Sequence, residues 1–251
     1  PYFELTHRGE IEIKYGGQVD MFFLEQLKPK FSLFEEGKLA NSKLRKTCDL
    51  VTMDFDFARR FILNKLKSSL PDELVYHDIK HTLNVERSAE RIAGLEGVEG
   101  EELILLKTAV LFHDAGFIFT YEENEELAIK LIEKELPHFG YSDEQIKEIT
   151  KIIMSTTREV EPKTLLEKIM CDADHDYLGR ADYHVVANRL RIELEAQNRK
   201  MTDKEWIDFQ LNYLENVHEF YTETAKNIRE RGKQLRIQEL KNEWADLNTS
   251  T

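Results

Sequence analysis

Along this chain the spacing of apolar residues changes once, near residue 50. Before that point it alternates: Ile11 and Ile13 fall between Glu10, Glu12 and Lys14, the two-residue period of a strand. FELTHRG, EIEIKYGG and QVDMFFLEQL read as strand segments, with Gly16-Gly17 free to take the positive φ of a tight hairpin turn. On the returning segment Val19, Met21 and Phe23 share one face, and Phe22 and Leu24 the other. A lone hairpin is marginal in water, so this one is expected to pack on a larger sheet, the helical body or another chain. Residues 28–46, with Pro, Gly, Asn and many charges, read as a connector.

Beyond residue 50 the period is helical. Helices are predicted over 51–68, 78–94, 101–115, 122–136, 142–155, 163–170, 182–197 and 203–232. Turn signals stand at Ser69-Leu70-Pro71, Gly97 to Gly100 and Pro137 to Gly140. Ser142 with Gln145 forms a capping-box pattern, and Thr202 precedes another helix start. Trp206, Phe209, Tyr213, Val217, Phe220 and Tyr221 recur at helical steps and read as core or a helix–helix seam. The predicted class is mainly all-α, a helical bundle with a small N-terminal β-hairpin. Its divisions are a hairpin over 1–30, a linker over 31–50 and a helical domain over 51–251.

Composition narrows the partners. The 251 residues carry 48 Asp plus Glu against 35 Lys plus Arg, a formal charge of −13. That argues against a nucleic-acid polymer as partner. No apolar run is long enough to cross a bilayer. Cys48 and Cys171 lack paired spacing, which excludes a thiolate zinc cluster and a disulfide framework and favours a reducing, cytoplasmic setting. The opening PYFELTHRGE is neither a signal peptide nor a translation start, and the chain reads as a piece of something longer.

Three segments hold the candidate chemistry. In YHDIKHTLNV, His77 and His81 are four apart and so share a helix face. In AVLFHDAGF an apolar helix ends in His113-Asp114, a pair costly to bury unless something compensates the lost hydration. In IMCDADHDYLG, Asp172, Asp174 and Asp176 crowd together and call for a cation, solvent or proton sharing. Taken singly, each segment is as well explained by a hydrogen-bonded couple or a helix cap. Together, two imidazoles and two carboxylates suit one divalent ion (manganese, iron, magnesium, zinc or nickel) with positions open for water and a phosphate oxygen.

His81, His113-Asp114 and Asp174 resemble the H…HD…D pattern of the HD superfamily of metal-dependent phosphohydrolases, over roughly residues 70–200. The resemblance implies an HD-domain helical bundle, His81, His113, Asp114 and Asp174 as metal ligands, and Asp172 as fallback ligand or outer partner. The Tyr76-His77 and His81 stretch is also similar to the first signature of cyclic-nucleotide phosphodiesterases, which implies His77 as the general acid. Asp78 stands where those enzymes usually have Asn; it is expected to orient His77 or to face solvent. The resemblance further implies Asp114 or Asp174 as acceptor of the attacking water's proton. Two-metal members carry more histidines after the HD pair, whereas this chain has Asn124 among glutamates. One tight ion is expected, with a weaker second ion left open.

Arg180 and Arg158 are the candidate substrate contacts, with surface ion pairs as the competing account of each. The segment FELTHRGEIEIKYGGQVDMFFLEQLKP resembles the closing strands of a class III adenylate/guanylate cyclase catalytic domain, through Arg8-Gly9, Ile11, Ile13-Lys14 and Gly16-Gly17. That resemblance implies an upstream cyclase domain in a longer protein. The leading expectation is hydrolysis of a small phosphate ester, a nucleotide or cyclic nucleotide. The alternatives are a non-catalytic metal- or nucleotide-binding regulatory module of a cyclase-containing protein, and a di-iron oxygenase. A homodimer through exposed helical seams is compatible with the pattern.

Overall fold

The computed structural model describes residues 2–12, 18–41, 43–44, 53–157 and 160–249. Two antiparallel strands open the chain, β1 (Phe3–Glu12) and β2 (Gln18–Leu27), paired from Phe3 opposite Leu27 to Glu12 opposite Gln18. The register slips between Glu4 and Leu5 and between His7 and Gly9, which bends the ribbon. The Gly16-Gly17 turn lies outside the described residues. Leu27 packs with Phe31 and Leu44 at the base of the hairpin, whereas Leu5, Val19, Phe22, Phe23 and Leu24 stay exposed.

Within the connector, short 3-10 turns at Pro29–Phe31 and Leu33–Glu35 bury Phe31 and Leu33. Nine α-helices follow among the described residues: α1 (Phe55–Ser69), α2 (Ile79–Leu95), α3 (Gly100–Phe112), α4 (Asn124–Glu135), α5 (Asp143–Met154), α6 (Leu165–Asp174), α7 (Tyr183–Ala196), α8 (Asp203–Asn212) and α9 (Glu223–Thr249). The mainly helical class with a small hairpin holds. No helix among these is long and apolar enough to cross a membrane.

α3 is the central rod. Past its first turn it is apolar apart from Lys107 and Thr108, as a helix walled in by others must largely be, and Leu105, Leu106 and the run from Thr108 to Phe112 are buried between α1, α2, α5 and α6. Its one internal hydroxyl, Thr108, donates to the Ile104 carbonyl at 2.8 Å and meets the Tyr141 hydroxyl at 2.8 Å, so no polar group is stranded. Capping boxes start α5 at Ser142/Gln145, α6 at Thr164/Glu167 and α8 at Thr202/Glu205.

Two elements depart from the predicted pattern, and both shape the site. The helix expected over 163–170 runs on to Asp174, so the DAD segment is its last turn. Two residues of helix turn through about 200°, which sends Asp172 and Asp174 to opposite sides. The long helix expected over 203–232 is broken. A π-turn at Tyr213–Val217 and extended backbone at His218 separate α8 from α9.

The cause of the break is Asp172. Its carboxylate, 1% exposed, accepts from the Tyr221 and Thr222 backbone N–H groups at 2.7 and 2.8 Å and from the Thr222 hydroxyl at 2.7 Å. Thr222 in turn accepts from Ala225 N at 3.0 Å and starts α9. Apolar periodicity passes through this joint unchanged, because Phe220 is buried on either account.

Close backbone approach fixes what lies next to the site. A Cβ on Gly116 would stand 1.7 Å from the Asn124 carbonyl oxygen, so only glycine lets the 3-10 turn Ala115–Ile118 lie against the start of α4. Likewise a Cβ on Gly232 would stand 1.9 Å from the Gly179 carbonyl oxygen, which presses α9 onto the 3-10 turn Asp176–Gly179.

Candidate metal centre and cleft

His81 comes from the first turn of α2, His113 and Asp114 from the end of α3, and Asp174 from the last residue of α6. Three distant stretches thus converge. His81 Nε2 lies 3.3 Å from Asp114 Oδ2 and 3.1 Å from Asp174 Oδ1; His113 Nε2 lies 3.1 and 3.6 Å from the same two oxygens. His81, His113 and Asp174 each bring one ligand atom within 4.8 Å of the others, a set able to hold one divalent ion. Asp114 completes the expected quartet.

The quartet faces a common point. Among the described residues, His81 Nε2, His113 Nε2 and Asp114 Oδ2 are buried without a hydrogen-bond partner, although unpaired buried polar atoms are costly. They stand 3.1–3.6 Å from their nearest neighbours in the quartet, as donor atoms gathered around one cation would. His113 Nδ1 donates to the Val110 carbonyl at 2.8 Å, which fixes the tautomer and leaves Nε2 as the ligand nitrogen. The donor set of imidazole nitrogens and carboxylate oxygens suits a divalent metal.

Without a metal, the site must hold its charges by itself. Burial opposes the charged form of His81, but Asp114 and Asp174 overcome it and raise its pKa to about 9. His113 is raised well above 6.5 by the same two carboxylates against the same burial. Asp114 and Asp174 are lowered in return: burial works against them, and the facing imidazoles win.

The pH dependence follows in sign. An imidazole raised on folding contributes stability in full below its unfolded value of 6.5, and loses it as pH rises through about 9. The carboxylates contribute above 3.8 and lose it on acidification. Metal-free protein should therefore melt at a lower temperature at pH 9 than at pH 6.5. A bound divalent ion requires neutral imidazoles, so its added stabilisation should grow over that interval. Thermal melts with and without metal at the two pH values check this.

Above the quartet opens a cleft of about 260 Å³, lined by Tyr76, His77, His113, Asp114, Phe117, Asn124, Thr156, Asp174, His175, Tyr177, Tyr183, Trp206, Phe209, Gln210 and Tyr213, among others. Aromatic rings dominate it. Trp206 stacks on Phe209 with ring centres 5.5 Å apart, and Tyr183 donates to Gln210 Oε1 at 2.9 Å. Part of the α8 stripe read as core is therefore cleft wall.

His77 stands at the edge of the quartet, stacked on Phe117 at 4.3 Å. Its Nδ1 is in short contact with Glu193 Oε1, which leaves Nε2 as the nitrogen available to a substrate. Glu193, 0% exposed, was not singled out in the sequence. Its Oε2 accepts from Tyr76 N at 2.8 Å and His77 N at 3.0 Å, and Tyr121 donates to Oε1 at 3.3 Å. Burial pushes its pKa up, but His77 and the two backbone N–H groups prevail and hold it below the ordinary value. A glutamate mid-helix more than 110 residues from its partner leaves no local signal. His175 also lines the cleft, its Nε2 2.8 Å from the Tyr213 hydroxyl.

Several expected roles are corrected. Asp172 is neither fallback ligand nor partner of a ligand, because all its contacts anchor the joint before α9. Asp78 does not orient His77; it caps α2, accepting from Lys80 N and His81 N at 2.9 Å each. Arg180 does not line the aromatic cleft; it is bound through Nε to Asp182 Oδ1 at 2.8 Å, faces Asp176 at 3.9 Å, and lines a smaller pocket that also includes His81 and Asp174. Arg158 lies outside the described residues, two positions beyond Thr156 of the cleft wall.

Residues 78–176 match the family model "HD domain", a span that contains the whole quartet and begins one residue after His77. None of the curated proteins compared matches the chain. Among solved structures, a predicted HD superfamily hydrolase from an uncultured Thermotogales bacterium is 23% identical, covers 75% of this chain and 92% of its own, and superposes with a TM-score of 0.52. YpgQ of Bacillus subtilis, solved in complex with ADP, is 20% identical over 76% of this chain and 94% of its own, with a TM-score of 0.55. A Lactobacillus plantarum protein is 18% identical over 78% and 99%, also with a TM-score of 0.55. Residues 78–176 thus match an HD domain, the chain shares the fold of a predicted HD superfamily hydrolase, and its His81/His113/Asp174 cluster is able to hold one divalent ion.

Proposed function

We propose that the chain hydrolyses a phosphate ester of a nucleotide or cyclic nucleotide. The observation that carries this reading is a set of buried atoms without hydrogen-bond partners among the described residues, His81 Nε2, His113 Nε2 and Asp114 Oδ2, with the half-buried Asp174 beside them, at the floor of an aromatic cleft. His81, His113, Asp114 and Asp174 would hold the ion. A divalent ion held there supplies a Lewis acid for a phosphoryl oxygen and a source of hydroxide near neutral pH.

The chain's own residues do the rest. Asp114 or Asp174 accepts the proton of the attacking water on a carboxylate oxygen that borders the site. His77, braced at Nδ1 by Glu193, donates a proton from Nε2 to the leaving oxygen. The Trp206–Phe209 pair and Tyr183 offer flat apolar faces, which favours a substrate with a nucleobase. The ADP bound by the B. subtilis relative agrees with a nucleotide in such a fold. Arg158, near Thr156 in the chain, remains the candidate cationic contact to phosphate.

A regulatory reading draws on the N-terminal hairpin. Its cyclase-like residues and exposed Phe22, Phe23 and Leu24 suit strands that join a larger sheet, which would make the HD domain a metal- or nucleotide-binding module of a cyclase-containing protein.

Product analysis separates the two. The purified chain would be supplied with Mn, Mg, Fe or Zn in turn and given cyclic nucleotides, nucleoside mono- and triphosphates, and phosphate esters without an aromatic ring. Metal-dependent release from a nucleotide, and little from the ring-free esters, is the expected result. Nucleotide-dependent thermal stabilisation without product over hours would replace hydrolysis by the regulatory reading.

A further inference from the structure

A second groove, of about 510 Å³, runs along the outside of α2 and is lined by Asn84, Arg87, Ser88, Arg91, Asp176, Arg180, Ala181, Asp182 and Arg229. Four of these residues come from α2 at steps of three and four: Asn84, Arg87, Ser88 and Arg91 form one stripe on its surface. The turn after α6 adds Arg180, and α9 adds Arg229.

On a chain with net charge −13, four guanidinium groups around one groove are a concentration of the opposite sign. Asp176, 3% exposed, organises them. It takes Arg91 at 2.7 Å and Arg229 through two bonds of 2.7 and 3.0 Å, and it faces Arg180 at 3.9 Å. Asp182 pairs with Arg180. The two carboxylates offset two of the four cations. The other two charges stay uncompensated among the lining residues.

Geometry adds to charge. Arg87 is steered by its own helix, Nε to the Leu83 carbonyl at 3.2 Å and one terminal nitrogen to Asn84 Oδ1 at 2.6 Å. Arg91 is bonded to Asp176 through a single terminal nitrogen. Each guanidinium has five N–H donors, so both retain donors for an oxyanion, and the planar fork matches phosphate oxygens two at a time. Asn84 and Ser88 add neutral polar groups between them. The packing of Gly232 on Gly179 fixes the third wall.

We propose that this groove is an anion site, distinct from the aromatic cleft, that takes the linked phosphates of a pyrophosphate or polyphosphate group. It does not depend on the hydrolysis argued above, because it needs neither metal nor His77.

The test uses metal-free protein in EDTA, with binding measured by calorimetry and thermal shift. The probes are inorganic pyrophosphate and ATP, against sodium chloride at equal ionic strength. Pyrophosphate should bind and raise the melting temperature beyond chloride, with an affinity that falls steeply as salt rises. Arg87→Gln alone should weaken it about tenfold, and Arg87→Gln/Arg91→Gln about a hundredfold, since each charge-assisted contact is worth about a decade. Asp182→Asn removes a carboxylate that competes for Arg180, and should tighten binding. Equal affinity for pyrophosphate and ATP would assign the site to the phosphate chain alone; tighter ATP would assign it to a nucleotide tail. Stabilisation no greater than that of chloride, or pyrophosphate binding unchanged in the double variant, overturns the proposal.

Discussion

His113→Ala should lose its stoichiometric metal and, with it, turnover by about 10³-fold or more, since a bound ion supplies several kcal/mol of charge stabilisation at about 1.4 kcal/mol per tenfold. The side chain is 3% exposed and held by Val110, so no neighbour can move in to replace Nε2. Loss of an outer partner of a ligand costs roughly 10–100-fold in metal affinity, and loss of the ligand itself should cost more. In the metal-free state the change also strips Asp114 of the imidazole that chiefly holds its pKa down, leaving a buried carboxylate short of a counter-charge. Asp172→Asn gives the contrasting result. It weakens the anchor of Tyr221 and Thr222, so the melting temperature should drop while metal content stays at that of the parent chain. Elemental analysis beside thermal melts reads both. Full turnover in His113→Ala with metal still bound would remove this quartet from the chemistry.

The contrast between Asp172 and Asp174 shows how much was legible beforehand. Helical periodicity placed α1 to α7 within a few residues, because each buries one continuous stripe, and Ser142/Gln145 formed the predicted capping box. The quartet was legible as well: imidazoles and carboxylates embedded in apolar helix are conspicuous, and their order along the chain is specific. Convergence in space was not. Whether α6 stopped at 170 or at 174 decided which aspartate faced His81 and His113, and helix ends are the weakest part of any periodic reading. The break between α8 and α9 was hidden because a buried carboxylate from elsewhere captures the freed backbone donors at Tyr221 and Thr222. For Arg180 the ion-pair account holds in part: it is bound to Asp182, in a pocket that also includes His81 and Asp174. Glu193 was missed because its partners His77 and Tyr76 lie on another helix start, far away in the chain.

That buried glutamate carries the second large prediction. Glu193→Gln is expected to lower kcat by about 10²–10⁴-fold on unactivated esters, the range that a positioned acid contributes, while leaving metal content unchanged. The glutamine can still accept from Tyr76 N and His77 N through its carbonyl oxygen. Its amide then turns N–H donors toward His77 Nδ1 and the Tyr121 hydroxyl, where the carboxylate had accepted from both. His77 can no longer place a proton on Nδ1, so the doubly protonated ring that would act as the acid loses both its hydrogen bond and its counter-charge. Glu193 touches no substrate; it is a positioning residue, and its signature lies in the leaving group. A p-nitrophenyl ester departs without help from an acid, so the kcat deficit of Glu193→Gln should shrink sharply on that substrate, and His77→Ala should follow the same pattern. KM should change little in either variant, since the aromatic wall and the quartet are untouched. An equal deficit on activated and unactivated esters would mean that Glu193 only holds the start of α2 in place through the Tyr76 and His77 backbone, and that the leaving group takes its proton from elsewhere.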